Sequence, residues 1–179
     1  MIHETHLDDL LAKEALSRLV VSYSRAVDRR DFALLRELYA PEALDQHGEM
    51  YEGGIDGYIA FLHQALARYE ATTHYVLQTH FEVRGDYAEG EVHKLNYHRE
   101  AGPPRRDVIT ASRFFDHYIR RAGRWYFLRR TISLDWVQCR DVVAENYENF
   151  AAQSPRGRAD GGDLSYEVLK LFPRLERDL

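Results

Sequence analysis

Two side chains near the end of one helical stretch, Tyr23 and Asp28, are of types that carry acid–base chemistry. Residues 10–31 read as an amphipathic helix, because their apolar side chains recur at three- and four-residue steps. At about 100° per residue the two side chains lie roughly 140° apart, so they can border one cavity across the last turns. The helix dipole disfavours a carboxylate at a C-terminal end. Asp28 therefore needs a partner, or it lies in solvent beside Arg29 and Arg30.

His74 could be that partner, and it stands where a strand-like segment begins. An imidazole exchanges protons near neutral pH, and an aspartate that accepts its second ring proton fixes the tautomer and raises its basicity. A phenol such as Tyr23 can donate a hydrogen bond to a departing hydroxyl or to an enolate oxygen. Asp28, His74 and Tyr23 in one aromatic pocket would make a site for proton abstraction or water elimination. The sequence does not show whether residues 28 and 74 meet, since only the fold can bring them together. His74 could therefore also have a structural role or lie exposed on the surface.

The remaining histidines do not indicate a metal centre. None of the nine histidines forms a His-x-His or HExxH pattern, so His80, His93 and His98 are not expected to be metal ligands. The sequence contains no P-loop, no GxGxxG and no GxSxG motif, which argues against nucleotide binding and serine hydrolase chemistry. We therefore expect no metal and no other cofactor.

Composition narrows the class of protein. The net charge of −5 argues against nucleic acid as a partner, because a phosphate backbone calls for a basic face. No apolar run approaches the ~20 residues of a transmembrane helix, so no membrane association is expected. The single cysteine, Cys139, excludes an internal disulfide framework. With no export signal visible in the first residues, we expect a cytoplasmic location.

The order of elements predicts an α+β fold. The helix over 10–31 is followed by a second over 32–40, which Asp31 caps and Pro41 ends, and by a third over 55–70. The polar segment between them has room for a short strand over 43–47. Four long antiparallel strands follow from residue 72, with turns at Gly85-Asp86 and Ala122-Gly123 and a loop over 101–107. We expect one domain over 1–140 and a C-terminal extension over 141–179, which packs on the domain or on a neighbouring subunit.

Three stretches carry a resemblance to a known family: YSRAVDRRDFALLRELYAPEA, THYVLQTHFEVRGDYAEGE and SRFFDHYIRRAGRWYFLRRTISLDW. Over roughly residues 8–138 the chain resembles the SnoaL-like branch of the nuclear-transport-factor-2-like superfamily. That branch includes scytalone dehydratase, the bile-acid dehydratases and hexachlorocyclohexane dehydrochlorinase. The resemblance implies a cone-shaped, curved antiparallel sheet packed with three N-terminal helices.

The resemblance also implies the site residues. Tyr23 and Asp28 match the Tyr-x4-Asp pattern of the bile-acid dehydratases, and His74 matches the histidine that pairs with the helix aspartate. Some members carry an acidic residue or histidine on the next strand, where Asn96 is the nearest position here, so that acid/base group is missing or replaced. The other expected substrate-binding residues are those near Asn96 and an arginine on the third strand: His93, Tyr97, His98 and Arg113. Arg129 or Arg130 could hold an anion or a leaving group.

These residues favour a cofactor-independent lyase that eliminates water from a hydroxylated aromatic or polycyclic small molecule. Three alternatives stay open: a lyase that releases an aldehyde from an aromatic diol, an isomerase or cyclase like the ketosteroid isomerases and polyketide cyclases, and a non-catalytic ligand-binding module. The resemblance further implies a homo-oligomer, most simply a trimer. Phe114, Tyr118 and Trp125 are expected on the outer face of the sheet, where a neighbouring subunit would cover them.

Overall fold

The computed structural model describes residues 2–142 and 154–171, and it confirms the α+β class. The helices are α1 (Ile2–Asp28), α2 (Phe32–Glu37), α3 (Ile55–Leu66) and the short α4 (Leu164–Val168). The strands are β1 (Tyr39–His47), β2 (Tyr51–Gly54), β3 (Tyr69–Arg84), β4 (Tyr87–Glu100), β5 (Arg106–Arg121) and β6 (Arg124–Asp141). Among the described residues, no helix is long and apolar enough to cross a membrane.

The strands form one curved sheet in the order β2-β1-β6-β5-β4-β3. The predicted four-stranded antiparallel meander, β3 to β6, is confirmed, and its predicted turns have the backbone they require: Gly85 and Gly123 have φ of 62° and 80°. Two further strands extend the sheet, because β1 pairs in parallel with β6 and β2 pairs with β1.

Several predicted boundaries were wrong. Helix α1 begins at Ile2 and ends at Asp28, where residues 10–31 were expected, and α3 ends at Leu66 instead of residue 70. Pro41 does not end α2, which stops at Glu37, but lies within β1. The pairing of β1 with β6 is irregular between Tyr39 and Leu44. A proline is tolerated at such a bulge, since it has no N–H to give to the ladder.

The end of α1 is a reversal built from local hydrogen bonds. Arg30 has a left-handed φ of 55°, and the Asp31 N–H donates to the Ala26 carbonyl at 2.8 Å, as in a Schellman motif. Asp31 also caps α2, as predicted. The Arg30 guanidinium donates to Thr72 Oγ1 at 2.9 Å. The last turn of α1, which contains Asp28, is thereby held against the start of β3.

A buried ion pair lies among the aromatic rings of the core. Arg130 donates to both carboxylate oxygens of Asp116 at 2.7 Å, and the two side chains are almost completely buried. The guanidinium carbon lies 4.1 Å from the centre of the Tyr23 ring and 4.0 Å from that of Phe127. Tyr118 adds a hydroxyl hydrogen bond to Asp116 at 2.8 Å. This group ties β5 and β6 to α1.

The expected outer-face position of three aromatic residues was wrong. Phe114, Tyr118 and Trp125 are 4%, 0% and 5% exposed, so they belong to the core. Successive side chains of a strand alternate between its faces, and Phe114 and Tyr118 share the inner face of β5 with Asp116. Exposed apolar side chains on this sheet include Phe115 and Trp136 instead. The homotrimer stays a prediction without the support those three residues were expected to provide.

The described part of the C-terminal extension packs on the same chain, beside the end of α1. Arg29 pairs with Asp163 at 3.1 Å, and the Tyr166 hydroxyl donates to Asp31 at 3.1 Å. The rest of the extension after residue 142 lies outside the described residues. The predicted boundary at residue 140 comes at the end of β6, which reaches Asp141.

We expect Asp116→Asn to destabilise the protein by about 3–5 kcal/mol, because it leaves the Arg130 guanidinium buried without a counter-charge. Asp135→Asn is the matched control, since Asp135 pairs with Arg113 where both side chains are about one-third exposed. That change should cost less than about 1 kcal/mol. Urea denaturation of both variants measures the difference, and equal losses would contradict a stabilising role for the buried pair.

Candidate active site

The fold brings Asp28 and His74 into direct contact. Asp28 Oδ1 accepts a hydrogen bond from His74 Nδ1 at 2.6 Å, and its Oδ2 accepts one from the backbone N–H of His74 at 2.9 Å. Asp28 is 7% exposed, so the solvated alternative does not hold. Because the carboxylate binds both the ring and the backbone, it fixes the orientation of the imidazole. Among the described residues no hydrogen bond involves Nε2, the nitrogen available to a ligand.

The surroundings favour a carboxylate next to a neutral imidazole. Burial opposes the charge of Asp28, but its bonds to His74 outweigh burial and bring its pKa below the ordinary value. Burial lowers the pKa of His74, and the nearby Lys94 ammonium lowers it further, although Asp28 opposes both. With Nδ1–H donated to Asp28, the unprotonated Nε2 has the form of a general base.

His74 opens into a cavity of about 670 Å³ between the helices and the sheet. Most of its wall is aromatic or aliphatic, and the polar groups are few. The apolar lining includes Tyr23, Val27, Tyr58, Phe61, Leu62, Tyr69, Phe114 and Ile132. The polar lining includes His47, His74, Asn96, His98, Thr110 and Ser112. A cavity with this composition suits an apolar ring system that carries a small number of oxygen atoms.

Two of the expected substrate-binding residues, Asn96 and His98, do line this cavity. Asn96 Nδ2 donates to the hydroxyls of Thr110 and Ser112 at 3.2 and 3.1 Å, while its Oδ1 has no partner among the described residues. The His98 ring stands perpendicular to that of His74, with 5.2 Å between the centres. Burial lowers the pKa of His98 to about 3, so this ring stays neutral.

The structure places the other three expected substrate-binding residues away from the cavity. On β4 the inward positions are even-numbered, so His93 and Tyr97 point to the opposite face from Asn96. They bind Glu91 and Asp107 there. Arg113 is the β5 neighbour of His93 and pairs with Asp135. His93 and Tyr97 were expected in the site because they are close to Asn96 in sequence, which neglects the two-residue period of a strand. Arg113 was expected there because the resemblance implies an arginine on the third strand.

The two arginines that were considered as anion-binding residues lie in different environments. Arg129 is exposed, whereas Arg130 is buried against the ring of Tyr23. Arg130 Nη1 has no hydrogen-bond partner among the described residues. Its other nitrogens bind Asp116, which neutralises the charge.

Sequence analysis did not single out Lys94, whose side chain is buried beside the site. Its Nζ lies 5.0 Å from the centre of the Tyr23 ring and 4.7 Å from that of Phe114, without a hydrogen bond among the described residues. Burial, helped by the charge of Arg130, lowers the pKa of Lys94 to about 7. The period of β4 could have revealed it, since Lys94 shares the inner face with Asn96.

Sequence analysis also missed a second aspartate–histidine pair, Asp45 and His47, at the end of β1. Asp45 Oδ1 lies 2.5 Å from His47 Nδ1, and His47 Nε2 lies 3.0 Å from the Tyr58 hydroxyl. The Tyr58 and Tyr23 hydroxyls are 2.6 Å apart. The Asp-x-His spacing was a usable signal, because residues two apart on a strand lie on one face. Within residues 2–142 and 154–171, no three histidine, cysteine or carboxylate side chains cluster in an arrangement that could hold a metal ion.

Comparison with known proteins gives a family and a fold. The sequence profile described as "SnoaL-like domain" matches residues 8–131. Uncharacterized proteins of Mycobacterium bovis and Mycobacterium tuberculosis are 28% identical over 119 residues, which cover 64% of this chain and 80% of theirs.

Solved structures agree in fold. A proposed scytalone dehydratase from Novosphingobium aromaticivorans has a TM-score of 0.67 at 22% identity, over 73% of this chain and 88% of that one. A hexachlorocyclohexane dehydrochlorinase from Novosphingobium barchaimii has a TM-score of 0.69 at 19% identity, over 77% and 94%. At these identities the likeness establishes the architecture alone.

We expect Lys94→Met to stabilise the protein most at about pH 6, with an advantage that shrinks toward about pH 10. The folded pKa of about 7 lies below the ordinary 10.5, so the unfolded state binds more protons between these values. Wild-type stability therefore rises with pH across that window, by about 1.4 kcal/mol for each unit of difference between the two pKa values.

Urea denaturation at three pH values measures this effect. Lys13→Met is the control, because Lys13 is part-exposed and pairs with Asp9 on the surface of α1. Its stability should follow the wild type at every pH. An advantage of Lys94→Met that does not change with pH would mean that the buried amine keeps an ordinary pKa.

Proposed function

The chain belongs to the SnoaL-like domain family, and from that premise we propose that it is a cofactor-independent lyase. The proposed reaction is elimination of water from a hydroxylated aromatic or polycyclic small molecule by general acid–base catalysis. Two proteins with the same architecture are described as a dehydratase and a dehydrochlorinase, both of which eliminate a small group. Those descriptions support a lyase, and the chemistry is argued from the side chains of this chain.

The contact between Asp28 and His74 carries the proposal. Asp28 occupies Nδ1, which leaves Nε2 as a base at the wall of an apolar cavity. Exclusion of water there strengthens each electrostatic interaction with a bound molecule. An Asp28 that faced solvent, or a site filled by bulky side chains, would instead have favoured a binding module. The burial of Asp28 and the 670 Å³ cavity support catalysis over that alternative.

In the proposed reaction His74 Nε2 takes a proton from the carbon adjacent to the one that bears the hydroxyl. The electrons of that C–H bond form a carbon–carbon double bond, and the C–O bond breaks. The departing oxygen takes a proton and leaves as water. Tyr23 is the proposed donor, because burial raises the pKa of its phenol well above the ordinary value and keeps it protonated. Base and donor are both side chains, so the scheme uses no cofactor.

Two other reactions use related groups, and products distinguish them. In an aldehyde-releasing lyase, His74 would take a hydroxyl proton, a C–C bond would break, and a carbonyl product would form. An isomerase would return the proton to another carbon, and it commonly uses a carboxylate base. Release of an aldehyde, or activity that does not need His74, would favour one of these reactions over dehydration.

We expect Asp28→Asn and His74→Ala each to lower kcat/KM by 100-fold or more, and the double variant to be little worse than His74→Ala. The carboxylate acts through the imidazole, so its contribution disappears once the imidazole is absent. Elimination can be followed by the ultraviolet absorbance of the new double bond, in a screen of hydroxylated aromatics and steroids.

His93→Ala is the matched control, since His93 also pairs with a carboxylate but on the outer face of the sheet. It should keep the wild-type rate. All rates are compared after dialysis against a strong chelator, which removes adventitious metal ions. Full activity in either dyad variant would rule out this mechanism.

We also expect kcat/KM to rise with pH through a pKa below about 6.5, the ordinary value for histidine. Nε2 must be unprotonated to act as a base, and burial and Lys94 hold the pKa of His74 down. In Lys94→Met the rising limb should move to higher pH, because a cation that opposes protonation of His74 is removed. Lys13→Met should not move it, and a limb that also stays in place in Lys94→Met would contradict an influence of the Lys94 charge on the titrating group.

A further inference from the structure

The second aspartate–histidine pair reaches the same cavity from a different part of the fold. His47 is at the end of β1 and His74 is on β3, and the sheet order separates these strands by β6, β5 and β4. His47, Tyr58 and Tyr23 all line the cavity. Asp45 behind them is 1% exposed. The site therefore has an imidazole at each of two walls, and each imidazole has its own carboxylate.

Hydrogen bonds join this pair to the proposed donor. Asp45 accepts from His47 Nδ1 through Oδ1 and from the Tyr39 hydroxyl, at 2.6 Å, through Oδ2. Both carboxylate oxygens thus accept a hydrogen bond. The bond to Nδ1 holds the His47 ring with its Nε2 directed at the Tyr58 hydroxyl. The Tyr58 hydroxyl in turn forms a hydrogen bond with the Tyr23 hydroxyl. No link of the chain Asp45–His47–Tyr58–Tyr23 is longer than 3.0 Å.

We propose that His47 is the acid of this site, and that it delivers its proton to the leaving group through Tyr58 and Tyr23. This inference rests on the proposed elimination and supplies its second acid/base group. Asn96, the β4 neighbour of His74, is an amide and has no acidic proton to give. His47 provides one from the other side of the cavity.

The proton balance of the transfer is complete. When His47 is protonated, Nε2–H donates to the Tyr58 oxygen, the Tyr58 hydroxyl donates to the Tyr23 oxygen, and the Tyr23 hydroxyl faces the leaving oxygen. As the C–O bond breaks, Tyr23 gives its proton to that oxygen, Tyr58 replaces it, and His47 replaces the proton of Tyr58. Both phenols end as they began and His47 ends neutral. The proton taken by His74 and the one needed by His47 exchange with solvent after product release.

This arrangement removes a difficulty for Tyr23 acting alone. A buried phenol with a raised pKa is a poor acid, because giving up its proton would leave a buried phenolate, and the nearby charge of Arg130 offsets that burial only in part. Replacement of the proton through Tyr58 avoids that phenolate, and the resulting charge change falls on His47 beside the Asp45 carboxylate. In catalytic triads an aspartate orients and stabilises the imidazolium in the same way.

The first test uses variants that remove one hydroxyl or one imidazole. Tyr58→Phe and His47→Gln should each lower kcat by about 100-fold with KM changed less than about threefold, since acid catalysis contributes 10²–10⁴-fold. The double variant should be no slower than the worse single variant. Tyr51→Phe is the control, because Tyr51 packs on the ring of Tyr58 but donates its hydroxyl to the Gly54 carbonyl. Wild-type kcat in Tyr58→Phe would overturn the relay.

The second test changes the leaving group. We would compare an aryl β-hydroxy ketone with its β-chloro counterpart, because chloride departs without a proton. Tyr58→Phe should be slow on the hydroxy compound and close to wild type on the chloro compound, whereas His74→Ala should be slow on both. Equal loss on both compounds in Tyr58→Phe would indicate a structural role. Full activity of His74→Ala would instead contradict the proposed base, so the two failures are distinguishable.

The third test needs no turnover. Nitrogen-15 NMR of the imidazoles in the full-length protein should show His47 protonated at Nδ1 and unprotonated at Nε2 when neutral. The Nε2 resonance of His47 should move in Tyr58→Phe, which removes the hydroxyl next to it, and stay in place in Tyr51→Phe. If the wild type converts neither ketone, this measurement decides the relay: the opposite tautomer, or an Nε2 resonance that Tyr58→Phe does not alter, overturns it.

Discussion

The Asp28 carboxylate joins the two parts of the fold that build the site. It is on the last turn of α1, yet both of its oxygens bind His74, one through the ring and one through the backbone of β3. The end of a helix is an unfavourable place for a carboxylate, and these two bonds offset that cost. Because the backbone bond fixes the strand relative to the helix, the imidazole has one orientation, with Nε2 left for a ligand.

The two buried cations near this contact, Arg130 and Lys94, differ in whether a carboxylate balances their charge. Arg130 has a carboxylate partner in Asp116 and packs between aromatic rings, so it behaves as part of the core. Among the described residues Lys94 has no such partner, and burial lowers its pKa to about 7. Its ammonium opposes a second positive charge on His74. A destabilising feature of the folded state thus helps to keep the proposed base unprotonated, as expected where function competes with stability.

The shape and lining of the cavity fit the separate acid and base roles that we propose. Its walls are mostly aromatic or aliphatic, so a bound ring system would exclude water, and polar groups would act on it in a low-dielectric setting. The two histidines, His74 on β3 and His47 on β1, belong to strands far apart in the sheet. A base on one wall and an acid on another suit an elimination, in which one proton leaves carbon and another joins the departing oxygen.

The sequence alone predicted the α+β class, the meander with its turns, the cap at Asp31, and candidate roles for Asp28, His74 and Tyr23. These follow from local rules, namely helical and strand periodicity, turn chemistry and side-chain acidity, and in part from a family resemblance. The tertiary structure decided which residues share the cavity. It placed Asn96 and His98 inside and His93, Tyr97 and Arg113 outside, it added His47 and Tyr58 to the lining, and it buried Lys94 beside the cavity. Such choices depend on strand register and sheet curvature, which arise from contacts between residues distant in sequence, and a one-residue shift reverses the face of every side chain.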